Sequence, residues 1–212
     1  MEYSESAGDA DTSFWLEKEL RLVRHVEVFQ NKPTILQKAE NRLIGLQKAL
    51  AKEFSLIGDS LPDGIDLIKN QIVRGENHNG FPFISLDYPQ NFSKTEMFTL
   101  RTLFWWGHYL GFSLILKGEK LKTYFERLSK HCNETPFLDV YLSITPTPWE
   151  WHQDEKYFIP VSHQQVWAKK LNTLNHMKIM RFHSISDESF KRLDWTKAGV
   201  NFWRDMAPVC LG

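Results

Sequence analysis

The sequence predicts an α+β fold: a mainly antiparallel sheet covered by helices, with an N-terminal helix hairpin. Three observations predict it. Leu36, Ala39, Leu43, Leu46 and Leu50 recur at alternating steps of three and four, which is one stripe of a helix. Around Gly107-His108, two runs alternate with period two, the signature of strands with distinct faces. Further on, 119–131 and 162–174 carry apolar residues at helical spacing.

Composition limits the function classes. The 212 residues suffice for one large domain. Lys and Arg number 26, as do Asp and Glu, so no global field draws in nucleic acid or anionic lipid. Aromatic residues make up 14%, enough for rings to dominate a core. Cys132 and Cys210 make no disulfide framework and lack metal-site spacing. No basic region leads an apolar run at the N-terminus, and no stretch has the length of a membrane helix. The expectation is a cytoplasmic protein with a disordered acidic tail over residues 1–12. Residues 13–212 are then a single α+β domain, with a helix hairpin over 13–57 and the sheet-containing core over 68–212.

Taken in order, the first helix is expected within Ser13 to Phe29, where Leu16, Leu20 and Val23 fall at helical spacing. Gln30-Asn31-Lys32-Pro33 should break the chain, with Pro33 opening the second helix. Its three-four spacing fits an antiparallel hairpin or a homodimer seam, and the short connection favours the hairpin. Gln71–Arg74 and Phe83–Asp87 are rich in β-formers, separated by the turn-rich hexapeptide Gly75 to Gly80. Tyr88-Pro89 should close this hairpin, and Ser93 with Glu96 has the spacing of a short capped helical turn.

A second hairpin follows. Phe98, Leu100, Phe104 and Trp106 share one parity, and Thr99, Arg101, Leu103 and Trp105 the other. Gly107-His108 is the turn. Leu110, Phe112, Leu114 and Leu116 continue the dry face. Trp105 is then directed to a second layer, a groove or water, so Trp105→Ala should cost less stability than Trp106→Ala. Asp139 to Thr145 reads as a strand, Pro146 and Pro148 as a loop or edge, Lys178 to His183 as a strand, and Ser186 onward through Trp203 as a last helical region.

The segment from Arg74 to Gly107 resembles a family of uncharacterised bacterial proteins. The resemblance is carried by Arg74-Gly75-Glu76-Asn77, Gly80, Pro82, Leu86-Asp87-Tyr88-Pro89, Phe92, Arg101-Thr102 and Phe104-Trp105-Trp106-Gly107. It covers about a sixth of the chain and implies no activity, so no catalytic residue is carried over.

His152-Gln153-Asp154 has the His-x-Asp form of an iron(II) facial triad, with His163, His176 or His183 as a third ligand. The chain is too poor in strands for the double-stranded β-helix that carries that motif, so no metal and no cofactor are expected. Zinc, nucleotide-loop and nucleophile-elbow patterns are missing too. The ligand-binding set is drawn from Arg74, Glu76, Asn77, His78, Asp87, Tyr88, Arg101 and Trp105, with Arg74 expected to pair with Asp87 across the strands. Trp149-Glu150-Trp151-His152 is a second aromatic and polar set, read as a loop pinned to the core by its two indoles. Lys169, Lys170, Lys178, Arg181, Lys191 and Arg192 form a thin positive drift.

The functional expectation is a binding module with an aromatic-lined pocket for an unknown small molecule or protein. One alternative is a small-molecule enzyme using His78, Glu76 or Asp87 as acid and base, although no catalytic motif is recognisable. The other is an RNA-associated factor, a role for which the balanced charge gives little support. No membrane partner is expected; a homodimer is compatible with the helical spacing.

Overall fold

The computed structural model describes residues 14–62 and 64–211, and the expected acidic tail over 1–12 lies outside them. The chain divides into two compact units, the second beginning at Ala39. The first holds α1, Glu17–Val23, and the start of α2, Val26–Ser55. This is the N-terminal helix pair, but its turn falls at Arg24-His25 rather than at Gln30 to Pro33. Pro33 sits inside α2. A helical proline leaves the carbonyl four residues earlier without its donor. Here that carbonyl belongs to the exposed Phe29, where water can take the donor's place.

The second unit contains one seven-stranded sheet, ordered β1-β2-β3-β4-β7-β5-β6 with every pairing antiparallel. β1, Gln71–His78, and β2, Phe81–Phe92, form the first hairpin. Its loop is two residues, not six: Asn79 and Gly80 take φ of 52° and 87°, the left-handed pair that a tight hairpin turn demands. β2 runs on through Tyr88-Pro89 by way of a register shift between Asp87 and Gln90. The Ser93 to Glu96 segment is a tight turn rather than a helical one. Ser93 N–H donates to the Glu96 carbonyl, and Glu96 N–H donates to Ser93 Oγ. The hydroxyl suited to cap a helix closes a β-turn instead.

β3, Met97–Trp105, and β4, Tyr109–Lys117, form the hairpin expected around Gly107, whose φ is 77°. α3, Leu121–His131, follows, then β5, Tyr141–Ser143, and β6, Phe158–Pro160, a short strand that the sequence reading missed. The helix expected over 162–174 is one turn, α4, Gln164–Trp167, continued as a 3-10 helix to Thr173. β7, Met177–Ser184, joins β4 to β5, and α5, Trp195–Cys210, ends the chain. α5 is capped by Asp194, which accepts from Lys197 N–H, and the helical region expected from Ser186 opens as a 3-10 helix, Glu188–Arg192, before it.

One face of the sheet is covered by helices. Phe98 meets Trp203, Phe104 meets Trp195 and Phe112 meets Phe202, all on α5, while Tyr88 meets Phe54 of α2. Gly199 lets α5 settle closely: a Cβ there would lie 2.6 Å from Leu46 and 2.9 Å from Phe112. The opposite face is covered by the loop between β5 and β6. Trp105 points into that layer and is 0% exposed, whereas Trp106 is half-buried. The expected order of the two tryptophans is therefore reversed, because the second face is as dry as the first.

The β6 border is closed to further strands. Phe158 N–H donates to the Asp154 carbonyl, His163 N–H donates to the Pro160 carbonyl, and Pro160 has no N–H. No helix among the described residues is long and apolar enough to cross a membrane.

Candidate functional site

The loop-covered face is where the polar groups meet the rings. Antiparallel register sets Asp87 beside Arg101, Arg101 beside Ser113, Ser113 beside Met180 and Met180 beside Tyr141. All project to the same face, because directly paired residues do so. Arg101 donates from Nε and Nη2 to the two oxygens of Asp87 at 2.7 and 2.8 Å. Asp87 is 1% exposed, so the bidentate pair satisfies a charge that would otherwise be costly to bury. Trp149 lies 4.6 Å above the Arg101 guanidinium.

The loop is fixed at three further points. Lys178 Nζ donates to the Glu150 carbonyl at 2.7 Å. Tyr109 donates its hydroxyl to the Trp151 carbonyl at 2.6 Å. Trp151 packs with Trp105 and under His78, whose ring centroid is 3.7 Å away. The loop pinned by indoles is thus what the 149–152 segment builds, with Trp151 in the core and Trp149 half out over Arg101. Glu150 turns its carboxylate to its own neighbours, accepting from Trp151 N–H, His152 N–H and His152 Nδ1. Burial pushes the Glu150 carboxyl up, but these hydrogen bonds together hold it below the ordinary range.

Burial dominates the titration of the other groups. Lys178 is lowered to about 7 by desolvation, with Arg101 adding to the effect and Glu150 opposing it. Burial likewise lowers His78, against the pull of Glu150, and lowers His108, with His152 adding to both shifts. His108 stacks on Trp105 at 3.7 Å. Neutral imidazoles thus edge an aromatic cluster.

The expected ligand-binding set is split between the two faces. His78, Asp87, Arg101 and Trp105 share the loop-covered side. Arg74 lies on the helix side, where it bonds Glu40, so the expected Arg74 to Asp87 pair does not form. Tyr88 is buried on that side too, donating its hydroxyl to the Leu67 carbonyl. Asn77 caps the hairpin turn by accepting from Gly80 N–H, and Glu76 is exposed in the irregular stretch of β1. Of the acids and bases considered for catalysis, Asp87 is spent on Arg101. Of the residues considered as iron ligands, His152 is spent on Glu150, and Asp154 accepts from Lys156 N–H. No group of three metal-ligating side chains is placed for an ion among the described residues. The positive drift is dispersed as well: Lys178 is buried, Arg181 pairs with Asp139 and Asp205, and Lys191 pairs with Glu188.

Beyond the pinned loop the same face opens. A cavity of about 520 Å³ is lined by Tyr141, Phe158 and Pro160 together with Asp154, Glu155 and His163. Tyr141 and Phe158 also pack on Phe182, at 5.6 and 5.3 Å, which ties this cavity to the aromatic cluster. Sequence reading missed it because β6, which lines it, is three residues long. Two other hollows lie elsewhere: an apolar one of about 450 Å³ between Phe125 and Trp167, and a basic one of about 510 Å³ along Lys48, Lys52 and Lys197. No protein-family model, curated protein or solved structure matches the chain.

Proposed function

We propose that the protein is a ligand-binding module and that the Tyr141–Phe158 cavity takes a small organic cation. The observation that carries this reading is that two aromatic residues, Tyr141 and Phe158, and two acidic ones, Asp154 and Glu155, line one cavity. Its volume, about 520 Å³, lies in the range of small-molecule sites. Ring faces attract an ammonium or guanidinium group through their quadrupoles, and the carboxylates of Asp154 and Glu155 add charge. Asp154 engages Lys156 N–H through Oδ1, which leaves Oδ2 for a ligand. The half-buried Tyr141 is the wall from which the aromatic cluster is reached.

The test is a thermal-shift and calorimetric screen comparing quaternary ammonium and guanidinium compounds with their neutral isosteres. A cation present at about a hundred times its Kd should add about 2.7 kcal/mol of stability. The gain should vanish in Tyr141→Ala and in the Asp154→Asn, Glu155→Gln double variant. Saturable binding of neutral or anionic compounds alone, or cation binding that survives both variants, overturns the assignment.

A further inference from the structure

We propose, on the reading that the Tyr141–Phe158 cavity is a cation site, that Lys178 sets how strongly that cavity holds its ligand, because the lysine nitrogen lies against a ring that lines it. Lys178 Nζ sits 5.3 Å from the centroid of the Phe158 ring. Phe158 lines the cavity together with Tyr141, Asp154 and Glu155. Strand register brings the amine there. Met180 pairs with Tyr141 and Ile179 with Leu142, so the antiparallel ladder leads Lys178 toward Ser143, which itself pairs with Phe158.

The amine is placed to be felt across that ring. It is 2% exposed, and its hydrogen-bond partner is the neutral carbonyl of Glu150. The Glu150 carboxylate is spent on Trp151 N–H and His152, and that of Asp87 on Arg101. The charged and titratable groups that act on Lys178 or feel it are Arg101 from β3, Glu150 from the loop, His78 from β1 and His176 from its own strand. Burial lowers His78, and it lowers His176 to about 4, so His176 stays neutral from pH 6 upward. Lys178, brought down to about 7 by burial, changes charge near neutrality. Protonated, it and a bound cation share one ring and repel each other. At an effective dielectric of about 20, two unit charges about 10 Å apart repel enough to weaken binding roughly tenfold. Neutral, the amine leaves the ring and the two acids to the ligand. Cation binding and loss of the Lys178 proton are therefore linked, each favouring the other.

Titration calorimetry with tetramethylammonium, whose charge is fixed, tests this in wild type and in Lys178→Met. Relative to wild type, the variant should bind roughly tenfold more tightly at pH 6 than it does at pH 9. His163 also lines the cavity, and any charge it gains is common to both proteins and cancels in the ratio. A second readout needs no variant. Wild type should release roughly half a proton on binding at pH 7, measured in buffers of different ionisation enthalpy. A ratio that does not fall between pH 6 and pH 9, or binding without proton release at pH 7, overturns the proposal and leaves the cation site standing. No saturable binding of tetramethylammonium at either pH overturns the cation site itself, and the role of Lys178 with it.

Discussion

Lys178 gives the sharpest test of the physical picture. It is 2% exposed, and its ammonium has one carbonyl, that of Glu150, as its hydrogen-bond partner. Burial lowers it from the ordinary 10.5 to about 7. At about 1.36 kcal/mol per pH unit, holding that proton in the folded chain costs about 5 kcal/mol. Between pH 7 and 10.5 the unfolded chain keeps a proton at Lys178 that the folded chain has released. Wild-type stability from this group therefore rises with pH through that window, is complete above it and is missing below it. Lys178→Met removes the titration, keeps a straight apolar side chain and forfeits a hydrogen bond worth about 1 kcal/mol. The variant should be more stable than the wild type at pH 6, and its advantage should shrink by about 4 kcal/mol on going to pH 10. Urea unfolding of both proteins at each pH, followed by tryptophan fluorescence, measures the difference. Comparing the two cancels the other alkaline titrations, such as that of Cys210, which burial pushes up to about 12. A difference that stays flat from pH 6 to pH 10 refutes the argument that Lys178 is desolvated in the native state.

Three further substitutions probe the packing of the sheet. Trp105→Ala should cost about 3–5 kcal/mol and Trp106→Ala about half as much or less, since the first ring is wholly buried and the second half-buried. Equal losses in chemical melts would show that the loop layer adds no burial. Gly199→Val should destabilise by about 1–3 kcal/mol, because even its Cβ would press on Leu46 and Phe112. An unchanged unfolding midpoint would mean that α5 can lift off at no cost.

Periodicity carried the reading of the fold where it was strong. The stripe from Leu36 to Leu50, the two runs about Gly107 and the apolar side of 119–131 each became the element their spacing announced, the last as Leu121–His131. What alternation could not tell was how wet each side of the sheet is. Parity separated Trp105 from Phe104, which packs on α5, but the loop carrying Trp149 and Trp151 has no period, so the second covered face stayed invisible. Register was hidden for a related reason. Whether Arg74 and Asp87 share a side depends on the left-handed Asn79-Gly80 turn and on the irregularity between Gly75 and His78. Both are single-residue events that leave the strand composition unchanged. Pro33 misled because a proline's steric cost depends on what surrounds the carbonyl it orphans. One signal was present and passed over. Lys178 shares its parity with Met180 and Phe182, and a lone lysine on an apolar side of a strand marks a buried amine.

The closed β6 border gives the sheet a polarity of its own. One margin is sealed by a proline and by two backbone bonds folded back upon it. The other margin is β1, eight residues with no strand on its outer side among the described residues. Foreign backbone can therefore accrete in one direction only. The margin at which added backbone could pair is Gln71 to His78, and the charges of Arg74 and Glu76 within it are of the kind that discourage such pairing.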